Sequence, residues 1–291
     1  MKTAILGAGK MGIWFAKFCK ENGETVILAD RKAEKLLDPG RELSVKTTTD
    51  FIKAVEDADN IMICVSISSF EDVVKKIASS IRDGQVVIDI CSIKSFPVKV
   101  MHENIKHGLV LGTHPVFGPG SSGVKGKTYI LTPTNSEEEK HAKKFKGWLE
   151  KVGAHVFVMS PEKHDQLMSA VLGLPHFLGL AVCETLLERK DLAETKQVAG
   201  TTYRMLFTLA ESTALETPDL YANLQMRLPE LEKLEDLYIA KAQEWLDLAK
   251  QKNPQAIVDR MEKLKAKLLK ADPDFAQSYE VMYKMLEATE K

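Results

Sequence analysis

Cysteine is scarce and scattered: Cys19, Cys64, Cys91 and Cys183 form no CxxC pair and have no histidine at ligand spacing. That argues against a zinc site and against a disulfide framework, with no metal expected, and points to a reducing compartment, the cytoplasm. An excess of one charge is also missing, since 40 basic residues face 41 acidic ones for a net charge of −1. A balanced chain has no electrostatic footprint for wrapping nucleic acid or for holding an anionic membrane. No stretch approaches the roughly 20 apolar residues of a membrane helix. The short run Ile5-Leu6 passes straight into glycines, so no signal-peptide core is expected there. What remains is 44% hydrophobic and 28% charged over 291 residues, a globular composition long enough for two domains.

The first half alternates short apolar runs with amphipathic helical ones. Residues 3–6, 25–29, 61–65, 86–90 and 109–111 read as buried strands, and 129–131 and 155–158 as the last two. Strands that are apolar throughout and separated by helices predict a mostly parallel, doubly wound sheet covered on both faces. Gly23 stands where a helix C-terminal cap belongs, and Ser136 with Glu139 has capping-box spacing. Ser160-Pro161 is a strong helix start, and nearly everything beyond it reads as helix, broken at Pro218, Pro254 and Pro273. The expected organisation is a Rossmann-type α/β domain over residues 1–160, then an all-α domain over 161–291.

Gly7-Ala8-Gly9-Lys10-Met11-Gly12 follows the first strand and opens a helix, the context in which GxGxxG cradles a pyrophosphate. Gly7 permits the tight turn, Gly9 lets backbone approach the phosphates, and Gly12 lets helix and strand pack closely. Asp30, ending the second strand, suits the adenosine ribose and would repel a 2′-phosphate, which favours NAD. Arg31 beside it keeps NADP open. Lys10, Met11, Val65 and Ser66 complete the expected dinucleotide contacts. A glycine turn with no cofactor is the competing interpretation.

Three further segments place reactive side chains near strand ends or in the first helix of the second half: Asp89-Ile90-Cys91-Ser92-Ile93-Lys94, Thr113-His114-Pro115-Val116-Phe117-Gly118, and Leu172-Gly173-Leu174-Pro175-His176. On residue type alone, Ser92 is a helix N-cap candidate, His114 a turn histidine before proline, and His176 a core histidine. Pro175 would kink its helix, because it cannot donate to the carbonyl of Val171.

With the GxGxMG start, Asp-x-x-Ser-x-Lys, His-Pro-x-x-Gly, His164-Asp165 and Leu-Pro-His in this order, the chain resembles the prephenate/arogenate dehydrogenase family of tyrosine biosynthesis. The resemblance implies oxidative decarboxylation of prephenate to 4-hydroxyphenylpyruvate, with hydride passing to NAD(P)+, or of arogenate to tyrosine. By the same resemblance His114 takes the C4 hydroxyl proton, Ser92 bonds that hydroxyl, His176 touches the substrate's polar groups, and Arg204 grips a carboxylate. Lys94 orders its loop or faces solvent. The loop 118–126 closes over substrate or simply connects two strands. Leu172 stands where bacterial members often have serine, which leaves keto against amino substrate open.

In the second half, Leu228, Leu231, Leu234, Leu237 and Tyr238, and then Met261, Leu264, Leu268 and Leu269, recur at helical spacing. Intramolecular core is expected for most of them; the resemblance adds burial in a homodimer through the helical domain. Lysines 263–270 read as a solvated face. Two competing functions remain. A β-hydroxyacid dehydrogenase would use a lysine deep in the first helix of the second half, where this chain has none beyond Lys163. A non-catalytic dinucleotide sensor would need no convergence of Ser92, His114 and Arg204.

Overall fold

A computed structural model describes residues 1–288. The chain forms two compact units, one of residues 1–169 with 218–229, the other of 170–217 with residues from Glu230 onward. The expected boundary near 160 is therefore passed by α7 (Pro161–Met168), which stays with the first unit. A later segment also returns to that unit. In it α11 (Pro218–Arg227) and the residues after it bury Tyr221, Leu224 and Leu228, and the Arg227 guanidinium lies 4.2 Å over the Phe96 ring.

The first unit is built on β1 (Lys2–Leu6), β2 (Thr25–Ala29), β3 (Lys46–Thr48), β4 (Asn60–Ile63), β5 (Val86–Asp89), β6 (Leu109–Pro115), β7 (Thr128–Thr132) and β8 (His155–Val158). They form one sheet in the order β3-β2-β1-β4-β5-β6-β7-β8. All pairs are parallel except β6–β7. The order reverses direction between β1 and β4, which is the switch point of a Rossmann sheet. β3 escapes sequence reasoning because Lys-Thr-Thr is polar and exposed at the sheet edge. β6 is longer than expected, and it carries Thr113 and His114 as strand residues rather than placing them past its end.

Local chemistry sets the helix ends. α1 (Lys10–Glu21) stops at Gly23, whose φ of +82° only glycine adopts readily. Asn135, not Ser136, caps α6 (Ser136–Lys151): its Oδ1 accepts from the N–H groups of Glu137 and Glu138, and Glu138 reaches back to the Thr134 N–H. The capping box thus sits one residue earlier than its spacing suggests. Ser160 caps α7 with Pro161 in its first turn, as expected.

Ser169, which ends the first stretch of the first unit, and residues 170–173 of the second form a π-helical turn leading into α8 (Leu174–Leu187). The expected proline kink takes this form, with Pro175 near the start of a new helix rather than inside an old one. α9 (Leu192–Gln197), α10 (Thr201–Leu215), α12 (Leu231–Lys250), α13 (Pro254–Ala271) and α14 (Ser278–Glu287) complete the second unit. α8 packs on α10 where Gly179 faces Thr213; a Cβ on that glycine would stand 2.4 Å from the threonine hydroxyl oxygen.

Two expectations need correcting here. The helical run Pro161–Leu187 is long and apolar enough to cross a membrane by length and composition, against the expectation that no stretch of the chain is. Polar His164, Asp165 and His176 keep this run from being apolar throughout. Second, the leucine stripes are not an intramolecular core. Leu231 is fully buried, but Leu237 (53%), Met261 (58%), Leu264 (49%) and Leu269 (53%) are exposed in the single chain. Helical periodicity shows that a helix has an apolar face without showing what covers it.

Candidate active site

The glycine turn is required by packing at two of its three glycines. Gly7 has φ +114°, and a Cβ there would lie 2.5 Å from the Cys64 carbonyl oxygen. At Gly12 a Cβ would stand 1.8 Å from the Gly7 carbonyl oxygen, so strand and helix could not approach. Gly9 is different: nothing lies within 4 Å of its missing side chain. It lines the open face where backbone N–H groups and the N-terminus of α1 favour a phosphate. Lys10 is exposed and Met11 half-buried beside it, while Val65 and Ser66 follow β4, with Val65 next to Gly7. These residues fit a dinucleotide.

Asp30 is buried, at 8% exposure, and it holds the turn together. Its Oδ2 accepts from the Ala8 N–H at 2.9 Å and its Oδ1 from the Lys32 N–H at 3.0 Å. Each oxygen keeps a second lone pair, so this scaffold role leaves capacity for a ribose hydroxyl. Arg31 is exposed.

At the carboxyl ends of β5 and β6 lies a buried polar network. Lys94, which sequence reasoning left between loop and solvent, is fully buried. Its ammonium donates to the Asp89 carboxylate and to the carbonyl of Thr113, the residue before His114. Asp89 also accepts from the N–H groups of Cys91 and Thr113. Burial pushes its carboxyl up despite the opposing Lys94 charge. The one hint in the sequence was an ionisable residue ending an otherwise apolar strand.

His114 is 3% exposed, and its Nδ1 lies 2.8 Å from Nε2 of His164. His164 Nδ1 lies 2.8 Å from Asp165 Oδ1. Burial, the neighbouring His164 and the Lys94 charge hold His114 well below the usual imidazole range. Burial also lowers His164, against the pull of Asp165. Burial alone would raise Asp165, but hydrogen bonds from His164, Ser95 and Lys94 bring it below its ordinary value. Both imidazoles are therefore neutral near pH 7, and the carboxylate is charged.

Asp165 reaches 70 residues back to accept from the N–H groups of Lys94 (2.7 Å) and Ser95 (2.8 Å), which open α5 (Ser95–Asn104). This corrects the N-cap interpretation of Ser92. The free N–H groups of that helix belong to Asp165, and Ser92 lies half-buried in the bend before it. The loop from Gly118 is held at two points: Trp14 Nε1 donates to the Ser121 carbonyl at 2.6 Å, and Val124 is buried.

In the second unit, His176 sits half-buried in the first turns of α8, and burial lowers its pKa. Arg204 is half-buried on α10. It lies nine residues, about 13 Å of helix, before the Thr213 contact with α8.

Family comparison matches residues 15–158 to the prephenate dehydrogenase nucleotide-binding domain and 160–263 to the prephenate dehydrogenase dimerization domain. The chain belongs to the prephenate dehydrogenase family. A probable arogenate/prephenate dehydrogenase of Methanocaldococcus jannaschii is 34% identical over 89% of this chain and 59% of its own length. The prephenate dehydrogenase of Bacillus subtilis is 25% identical over 73% of this chain and 62% of its own. The chain thus spans about three fifths of these relatives. Among solved structures, the prephenate dehydrogenase of Aquifex aeolicus in complex with hydroxyphenyl propionate and NAD+ superposes with a TM-score of 0.76 at 25% identity, covering 94% of this chain and 98% of that one. A Mycobacterium tuberculosis 3-hydroxyisobutyrate dehydrogenase shares the fold alone, at 16% identity and a TM-score of 0.52 over 77% and 74% of the two chains. The family match begins at residue 15, past the glycine turn, so the phosphate cradle stands on its own geometry.

Proposed function

We propose that the protein oxidatively decarboxylates prephenate to 4-hydroxyphenylpyruvate with hydride transfer to NAD+, in tyrosine biosynthesis, with arogenate as the alternative substrate. Family membership supports this. The observation that carries it is a buried neutral imidazole, His114, at the carboxyl end of β6, held by a second imidazole. When bound, the dinucleotide supplies the hydride acceptor. Gly7, Gly9, Lys10, Met11 and Gly12 cradle its pyrophosphate, Asp30 and Arg31 take the adenosine ribose, and Val65 and Ser66 flank the turn. Asp30 favours NAD over NADP by charge.

His114 accepts the hydroxyl hydrogen as hydride departs from the same carbon, and Ser92 orients that hydroxyl. The electron pair of the departing carboxylate enters the ring, and the proton returns from His114 to the phenolate oxygen. His176 contacts the substrate's polar groups, and Arg204 anchors a carboxylate. The helical second unit forms a homodimer through its exposed leucines, and the free thiols suit a cytoplasmic enzyme.

Reduced-cofactor formation should be followed with prephenate and arogenate, each against NAD+ and NADP+. Turnover with prephenate and NAD+ is expected. Folded, dinucleotide-binding protein that is silent with all four pairs would refute the assignment.

A further inference from the structure

We propose that His164 and Asp165 are positioning residues that lock His114 as its Nδ1–H tautomer and so keep the lone pair of Nε2 available. The inference deepens the role proposed for His114 and rests on that reading. It follows from donor and acceptor accounting along the Asp165–His164–His114 chain with both buried imidazoles neutral. Asp165 can only accept, so the 2.8 Å contact requires a hydrogen on His164 Nδ1. His164 is fully buried and neutral, so its Nε2 carries a lone pair. That lone pair lies 2.8 Å from His114 Nδ1, which must therefore donate. A neutral imidazole has a single N–H, and His114 Nε2 is left as the acceptor.

Asp165 cannot turn away from this task. Its two oxygens also accept from the Lys94 and Ser95 N–H groups at the start of α5, where a helix N-terminus favours an anion. One carboxylate thereby references both the segment that carries Ser92 and the ring of His114. As His114 takes up the hydroxyl hydrogen, the positive charge that develops is shared through His164 toward Asp165, with no side-chain rearrangement.

His164→Leu separates the relay from the helix cap, because Asp165 keeps both of its backbone bonds. Loss of the acceptor frees His114 to take the Nε2–H tautomer. The expected result is a fall in kcat of about 10²–10⁴-fold with KM and dinucleotide affinity near wild type. His164→Gln, whose Oε1 stands close to the former Nε2, should recover at least about tenfold of that loss by accepting from Nδ1–H again. A purely structural role would not give this recovery at equal stability.

The direct readout is 15N NMR of histidine-labelled protein, which distinguishes protonated from unprotonated ring nitrogens. Wild-type protein should show Nδ1–H at both His114 and His164, and His164→Leu should show Nε2–H at His114. Finding Nε2–H at His114 in wild type overturns the proposal whether or not the variants fold. Wild-type kcat in His164→Leu overturns it as well. The spectrum needs no substrate, so an Nδ1–H result in protein that turns over neither prephenate nor arogenate would sink the substrate assignment and leave the lock standing.

Discussion

Lys94→Met is the perturbation whose magnitude the structure defines best. Lys94 and Asp89 are both fully buried, and the ammonium also satisfies the Thr113 carbonyl. Removing one partner of a buried pair leaves an uncompensated charge and costs about 3–5 kcal/mol. For a domain of this size each kcal/mol lowers the Tm by about 2–4 °C, so a drop of roughly 6–20 °C is expected. Asp89→Asn added to Lys94→Met removes the stranded charge and keeps an acceptor for a backbone N–H, and should restore about half the loss. The pH dependence has a defined sign. Asp89 is already raised by burial, and it rises further without Lys94. A carboxyl raised in the folded state contributes stability that is present at acid pH and lost as pH rises through the folded pKa. The deficit of Lys94→Met should therefore shrink from about pH 7 toward about pH 5. Thermal and urea unfolding followed by circular dichroism give all three numbers. A loss below about 1 kcal/mol at pH 7 would refute the account of the network.

The glycine turn separates fold from ligand: Gly12→Ala should lower the Tm by the equivalent of about 1–3 kcal/mol or more. Gly9→Ala should leave stability within about 0.5 kcal/mol yet weaken NAD+ in a fluorescence titration; equal effects on stability would contradict the open face at Gly9. His114→Asn should cut kcat about 10²–10⁴-fold while NAD+ still binds, and a smaller loss would remove His114 from the role of base. Because the folded pKa of His114 is depressed, the wild-type rate should hold as pH falls through about 6.5 and decline only below it. Stability carried by that depressed pKa is present above about 6.5 and lost as pH falls toward the folded value. Leu264→Glu, on the exposed stripe of α13, should convert a dimer to a folded monomer by light scattering, and an unchanged dimer would place the interface elsewhere.

How much was legible in the sequence follows from the range of the forces involved. Apolar strands, the GxGxxG turn, Asp30, the Ser160-Pro161 helix start and the proline breaks are written in residues close together, because steric and capping rules act over a few positions. Ser92, His114, His176 and Arg204 were singled out by family resemblance rather than by local pattern, since isolated polar residues carry no periodicity. β3 was missed for want of an apolar run, and Asn135 displaced Ser136 as a cap because two neighbouring residues were both chemically able to serve.

Only the tertiary structure could decide the rest. The burial of Lys94 against Asp89, and the reach of Asp165 across 70 residues to the start of α5, depend on which strand ends the sheet brings together. The contact of His114 with His164, and so the tautomer proposed for it, has the same origin. The return of residues 218–229 to the first unit likewise has no local signature. The amino-acid sequence determined the fold class, the nucleotide cradle and the residues available for chemistry, through interactions between near neighbours. Their protonation and orientation were settled by folding, because a proton's position depends on partners and on excluded water that distant segments supply.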